Sequence, residues 1–129
     1  MVNKQKKKDT SLIFEIDFFE KLIQDNADYV DALIPLAENY TKAGDYENGL
    51  RIDKKLVKLR PDDAVIRYNL ACSYSILGEI DKALATLRKA IDLGYSDFKF
   101  IEQDPDLLNL RKDLRYKTII ACRKSRKGS

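Results

Sequence analysis

The chain has 129 residues, 44% of them hydrophobic, with five glycines and three prolines, so it can bury one continuous core and has no room for a second. It contains no run of about eighteen uncharged apolar residues, which excludes a membrane-spanning helix. Glu15 and Asp17 interrupt the apolar run that a signal peptide needs. We therefore expect one cytoplasmic domain that is not held in a membrane.

The chain begins with a lysine-rich segment, and residues 1–10 are predicted to form a flexible basic tail. Ile16, Lys21 and Ile23 follow, and they lie 34 residues before the similar residues Leu50, Lys55 and Val57. This spacing predicts a helix over residues 11–25 that corresponds to the one around Leu50. Thr10 or Ser11 can cap its first turn. Residues 11–29 are then interpreted as half of a repeating unit.

Eight positions recur 34 residues apart through the middle of the chain. The pairs are Leu36 and Leu70, Ala37 and Ala71, Tyr40 and Tyr74, Gly44 and Gly78, Leu50 and Leu84, Lys55 and Lys89, Val57 and Ile91, and Leu59 and Leu93. A fixed period of this length indicates stacked structural repeats. Each full repeat, residues 30–63 and residues 64–97, is predicted to hold two helices.

The spacing within each repeat resembles the tetratricopeptide pattern. Leu33, Leu36, Ala37 and Tyr40 form one apolar stripe at i, i+3, i+4 and i+7. The resemblance implies an all-α fold, a helical solenoid of antiparallel helix pairs, with seven helices, two of them short, and no strands. It also implies that the helices of the first pair cross closely where Ala37 and Gly49 lie.

The segment after the second repeat resembles a closing segment found after many bacterial tetratricopeptide arrays. The resemblance covers residues 97–115, and the closing helices are predicted over residues 98–124. Asp97, Asp104 and Asp113 are each placed to cap a short or final helix. Leu114 stands where that motif usually has a proline. Residues 125–129 are predicted to be a second basic tail.

Two charged residues depart from the family pattern. Asp53 and Arg67 stand where large apolar or aromatic residues are usual. Because the family fold brings these positions together, one hypothesis is an ion pair between them. The alternative is that Ile52 and Tyr68 do the packing while both charges reach solvent.

The residues needed for catalysis or metal binding are scarce. The chain has no histidine, so Cys72 and Cys122 lack the commonest activating base and the commonest zinc ligand. The two cysteines fall far apart in a stacked array, which predicts free thiols. We expect a protein that is not an enzyme and has no cofactor or metal.

The resemblance places a partner-binding groove on the first helix of each repeat. The predicted groove residues are Ile34, Glu38, Thr41, Tyr68, Asn69, Cys72, Ser75 and Ile76, with Asp31 before them and Lys99 and Gln103 after them. Relatives that clamp the acidic C-terminus of heat-shock chaperones use lysines and arginines where this chain has Ile34 and Glu38. A partner peptide or amphipathic helix with apolar and basic residues is therefore predicted.

Two other kinds of partner remain open. A homodimer packed through Phe14, Phe18 or Phe98 satisfies the same sequence. Binding of nucleic acid or an acidic partner through the basic termini is the other alternative. The eight bases concerned are Lys4, Lys6, Lys7, Lys8, Arg123, Lys124, Arg126 and Lys127, and the rest of the chain carries sixteen basic and twenty-one acidic residues. No aromatic residues are interleaved with them to stack on bases, which disfavours nucleic acid.

Overall fold

The computed structural model describes the backbone of residues 2–128 and, within that range, the side chains of residues 10–123 and of Ser125. Within the described range every regular element is helical and there is no strand. The elements are α1 (Val2–Asp25), α2 (Val30–Lys42), α3 (Tyr46–Leu59), α4 (Ala64–Ile76), α5 (Ile80–Asp92), α6 (Phe98–Gln103), a 3-10 helix (Pro105–Leu107), α7 (Leu108–Arg111) and α8 (Leu114–Gly128). The predicted all-α class is confirmed.

The predicted number of helices was wrong, because residues 2–128 hold eight α-helices and a 3-10 helix. The start of α1 was also wrong. It begins at Val2, so Thr10 and Ser11 lie inside the helix and do not cap it. Lysine is a good helix former and neither glycine nor proline occurs before Ser11, so nothing in residues 2–10 stops the helix. The side chains of residues 1–9 lie outside the described ones, and the predicted tails stay predictions.

The chain divides into two compact units, Met1–Leu59 and Arg60–Ser129. In the first unit α2 packs against both α1 and α3. The turn between α2 and α3 is made at Gly44, whose φ of 81° is a left-handed conformation that glycine adopts without a steric penalty. The core of this unit includes Leu33, Leu36, Ile52 and Leu56, all buried.

The close crossing predicted for α2 and α3 is confirmed at Gly49. A Cβ atom added there would lie 3.1 Å from Thr41 Oγ1 and 3.7 Å from the Ala37 carbonyl oxygen. The absence of a side chain on Gly49 therefore sets how near the two helices come.

In the second unit α4 and α5 form a helix pair, again joined through a glycine of positive φ, Gly78. Asp63 caps α4, its Oδ1 accepting hydrogen bonds from Val65 N and Ile66 N at 3.0 Å each. One continuous apolar cluster joins this pair to the helices that follow, and it includes Leu87, Ile101, Leu107, Leu110 and Tyr116.

The closing segment begins and turns at the predicted positions. Gly94 has a φ of 120° and ends α5. Asp97 accepts from Phe100 N, Asp104 accepts from Asp106 N, and Asp113 accepts from Arg115 N, at 3.0, 3.0 and 2.9 Å. These three predicted caps are confirmed. Among the described residues, no helix is both long and apolar enough to cross a membrane.

Candidate partner-binding surface

The predicted groove residues of the first repeat share one face of α2. Glu38 is exposed, and Ile34 and Thr41 are half-buried. Thr41 is held in place because its Oγ1 donates to the Ala37 carbonyl at 3.1 Å. Asp31, one turn before Ile34, is also exposed. This face therefore presents an apolar side chain between two carboxylates, and we call it the α2 face, made of Asp31, Ile34, Glu38 and Thr41.

The predicted groove residues of the second repeat lie on α4 and have a different environment. Tyr68 is 3% exposed, and Cys72 and Ser75 are also buried. Asn69 and Ile76 are half-buried. Only two of the five predicted α4 residues thus keep part of their surface accessible in their own unit.

The buried three contact the closing segment of the same unit. Tyr68 donates its hydroxyl hydrogen to Asp104 Oδ2 at 2.6 Å, and the Cys72 thiol donates to the same oxygen at 3.7 Å. Ser75 Oγ accepts from Leu110 N at 3.2 Å, while its carbonyl oxygen accepts from Asn109 Nδ2 at 3.1 Å. The closing segment therefore occupies the surface that these predicted groove positions present.

Further contacts fix the closing segment in this position. The ring of Tyr95 stacks on that of Tyr68, with centroids 4.2 Å apart and planes 4° from parallel. One guanidinium nitrogen of Arg111, Nη1, donates to the carbonyl oxygens of Ile101 and Asp104 at 2.7 Å each. Lys99 and Gln103, predicted to continue the groove, are exposed on α6.

The electrostatics of this cluster oppose nucleophilic chemistry. Burial, followed by the nearby Asp104 carboxylate, raises the pKa of the Cys72 thiol well above its usual value. A reactive cysteine needs a lowered pKa and access to solvent. Burial also raises the pKa of the Tyr68 hydroxyl. Cys72 and Tyr68 are therefore neutral packing residues at physiological pH.

Three potential metal ligands meet here. The Sγ of Cys72 and one carboxylate oxygen each of Asp104 and Asp106 lie within 4.8 Å of one another. Both carboxylate oxygens of Asp104 already accept hydrogen bonds, Oδ1 from Asp106 N and Oδ2 from Tyr68. Helix capping and packing therefore account for the grouping.

The residues of the hypothesised ion pair have these surroundings. Asp53 is buried, and Arg67 donates from Nη2 to the Pro61 carbonyl oxygen at 2.6 Å. Ile52 and Tyr68 are both buried, as the alternative required, although Asp53 does not reach solvent. The ion pair itself stays a prediction.

The basic C-terminal cluster is partly engaged within its own unit. Arg123 Nε lies 3.0 Å from Asp92 Oδ1 on α5, and the Arg123 side chain is only 15% exposed. The remaining bases of that cluster, residues 124, 126 and 127, have side chains outside the described ones. Arg123 therefore contributes to holding α8 and is not available as a surface charge.

Comparison with known proteins points to the same repeat. Residues 54–85 match the family model described as the tetratricopeptide repeat. Over 76 residues the chain is 40% identical to a protein of Arabidopsis thaliana whose name describes it as chloroplastic, an alignment that covers 57% of this chain and 23% of that protein. The chain thus spans about a quarter of that relative's length. The family match, at residues 54–85, spans the junction between the two repeats counted from the sequence.

Proposed function

Because residues 54–85 match the tetratricopeptide-repeat family model and the described residues form paired helices, we propose that the chain is a non-catalytic interaction module that binds a segment of another protein. Repeat proteins of this kind present extended surfaces suited to binding proteins. The observation that carries the proposal is the α2 face, on which Ile34 is accessible between the exposed carboxylates of Asp31 and Glu38.

The proposed partner segment carries an apolar side chain flanked by basic ones. Ile34 offers an apolar contact, and Asp31 and Glu38 attract lysine or arginine and repel acidic partners. The forked donors of an arginine side chain suit such carboxylates.

On α4, the accessible members of the predicted groove, Asn69 and Ile76, are proposed as additional contacts. Tyr68, Cys72 and Ser75 are instead proposed to hold the closing segment, because their polar atoms already bond to it. A partner that contacted these three residues would first have to displace that segment.

The same contacts support the non-enzymatic part of this proposal. The cluster of Tyr68, Cys72 and Asp104 is buried and internally hydrogen-bonded, and the chain has no histidine. A cytoplasmic location stays part of this proposal, and the word "chloroplastic" belongs to the name of the plant relative.

The test is retention of partners from a lysate by immobilised chain in which Ile34→Asp and Glu38→Lys are combined. The control for the charge reversal is Glu47→Lys, which repeats the glutamate-to-lysine change of Glu38→Lys at an exposed position on α3 of the same unit. We expect proteins retained by the wild type and the control to be lost by the α2-face variant. Retention that the α2-face variant leaves unchanged would refute the proposed surface.

The second candidate function, binding of nucleic acid or an acidic partner through the basic termini, rests on seven of the eight clustered bases, because Arg123 is paired with Asp92. Such binding weakens steeply with salt because it depends on released counterions. Neutralising Lys4, Lys6, Lys7 and Lys8 to glutamine would then abolish retention, and moderate salt or nuclease would have the same effect. Binding through the α2 face should survive all three treatments.

A further inference from the structure

The outer face of α1 is apolar at its centre. Phe14 is 72% exposed and Phe18, one turn later, is 51% exposed. The opposite face of the same helix packs inward through Leu12, with Ile16 half-buried. Two aromatic rings side by side on a solvent-facing helix surface form an apolar patch of the kind that marks an interaction site.

The charges around the two rings are arranged symmetrically. Lys7 lies seven positions before Phe14, and Asp25 lies seven positions after Phe18. Because seven residues are close to two helical turns, these four positions share one face of α1. Lys21, seven positions after Phe14, lies on this face too, and Ser11 stands opposite it when a second helix runs in the opposite direction about residue 16. In that arrangement the outer base, the two rings and the outer acid match themselves.

We propose that α1 packs antiparallel against α1 of a second copy of this chain. A twofold axis near residue 16 places Phe14 of each copy against Phe18 of the other. The same operation brings Lys7 of each copy opposite Asp25 of the other. Such an interface uses the same patch on both chains, as twofold dimers do.

The charge along the whole helix selects this orientation. Lysines dominate the first ten residues, which hold four of them and one acid. Residues 15–25 of the helix contain four acidic residues against Lys21 alone. In a parallel pair like charges would meet along the full length, whereas the antiparallel pair sets the basic half of one helix against the acidic half of the other.

A second copy fits this face better than a lipid surface does. A helix that lies on an anionic membrane carries basic residues beside its apolar face. Here Asp17 lies one turn before Lys21 and pairs with it at 3.0 Å, next to the rings. Glu15 and Asp25 add negative charge to the same half of the helix and would repel anionic headgroups.

Sedimentation velocity of the full chain from about 1 to 200 µM tests the dimer, a range suited to a small interface. Phe14→Ser combined with Phe18→Ser should raise the dissociation constant at least about tenfold. The matched control is Leu114→Ser, which removes an exposed apolar side chain, 83% exposed, from α8. The control should leave the dissociation constant unchanged, and circular dichroism should give the same helix content for every variant.

Charge reversal tests the orientation. Lys7→Glu and Asp25→Lys should each weaken the dimer about threefold to tenfold, since each creates two like-charge contacts. The double variant Lys7→Glu with Asp25→Lys should recover the wild-type dissociation constant. A dimer that is not rescued by the double variant contradicts the antiparallel arrangement.

Two further outcomes overturn the proposal. One is a chain that stays monomeric throughout the concentration range, including one that binds anionic vesicles through Phe14 and Phe18. The other is a dimer that the Phe14 and Phe18 substitutions leave intact.

Discussion

Replacing Tyr68 by phenylalanine tests how the closing segment is held. The Tyr68 hydroxyl donates to Asp104 Oδ2 at 2.6 Å, and both side chains are buried. Tyr68→Phe keeps the ring that stacks on Tyr95 and removes only the donor. A hydrogen bond to a charged group contributes about 1.5–3 kcal/mol, because the buried acceptor is otherwise left poorly solvated. We expect the free energy of unfolding of the second unit to fall by about 2 kcal/mol.

Tyr116→Phe is the matched control. Tyr116 is 6% exposed and belongs to the apolar cluster of the same unit. Its hydroxyl oxygen is buried and has no hydrogen-bond partner among the described residues. Tyr116→Phe removes a hydroxyl group that makes no hydrogen bond to these residues. The free energy of unfolding should therefore stay within about 0.5 kcal/mol of the wild-type value or rise slightly.

Urea unfolding, monitored by circular dichroism, measures the free energy of unfolding of the two variants. Amide hydrogen exchange measures local opening in each of them. Exchange at the amides of Asp106 and Leu110 reports the closing segment directly, since both amides bond to side chains in this region. Tyr68→Phe should accelerate exchange at both, and Tyr116→Phe should not. Equal losses of stability in the two variants would refute the argument that the Tyr68 to Asp104 hydrogen bond holds the segment.

Three more predictions concern local features. Cys122 is exposed, whereas Cys72 is buried and its thiol has a raised pKa. A thiol reagent should therefore label Cys122 rapidly and Cys72 only on unfolding, and rapid labelling of Cys72 in the folded chain would contradict this. Burial, with the hydrogen bond to a carboxylate, raises the pKa of Tyr40 from 10.0 to about 12. Folding favours the neutral form of Tyr40, so the stabilisation that this residue gives the folded state is complete below pH 10 and is lost as the pH rises through 12. The free energy of unfolding of Tyr40→Phe, measured against pH, should therefore fall less steeply in that window than that of the wild type. Gly49→Ala gains about 1 kcal/mol of helix propensity, but the added methyl group crowds Thr41 Oγ1. Introduced into the Thr41→Ala variant, which lacks that oxygen, Gly49→Ala should therefore stabilise the fold more than it does in the wild type, as measured by denaturant unfolding.

Features set by neighbouring residues were predictable from the sequence. Asp97, Asp104 and Asp113 cap the helices that follow them, because an N-cap hydrogen bond joins groups two or three positions apart. Gly44 and Gly78 end their helices in the positive-φ conformation for the same local reason. The start of α1 was missed because residues 2–10 contain no stop signal, and a basic composition alone does not distinguish a tail from a helix.

The covering of α4 was not predictable in the same way. Tyr68 and Asp104 lie 36 positions apart, and Ser75 and Leu110 lie 35 apart. Asp104 was correctly predicted as a cap, and that role accounts for Oδ1, but its second oxygen accepts from Tyr68. The positions of Tyr68, Cys72 and Ser75 within the repeat therefore predicted that they lie on one face of α4. They did not show that this chain covers that face itself.

Because the closing segment covers part of α4, the predicted groove residues differ in the free energy that a partner must spend to reach them. To contact Tyr68, Cys72 and Ser75, a partner must break the hydrogen bonds that Asp104, Asn109 and Leu110 make to them. With about 2 kcal/mol for the Tyr68 to Asp104 bond and about 1 kcal/mol for each of the two bonds to Ser75, and with the weak thiol bond neglected, displacement costs about 4 kcal/mol. That corresponds to about a thousandfold in affinity, before any apolar area is counted. Glu38 on the α2 face is exposed and demands no such displacement. A partner should therefore be far more sensitive to Glu38→Lys than to Ser75→Ala, provided that the closing segment stays in place.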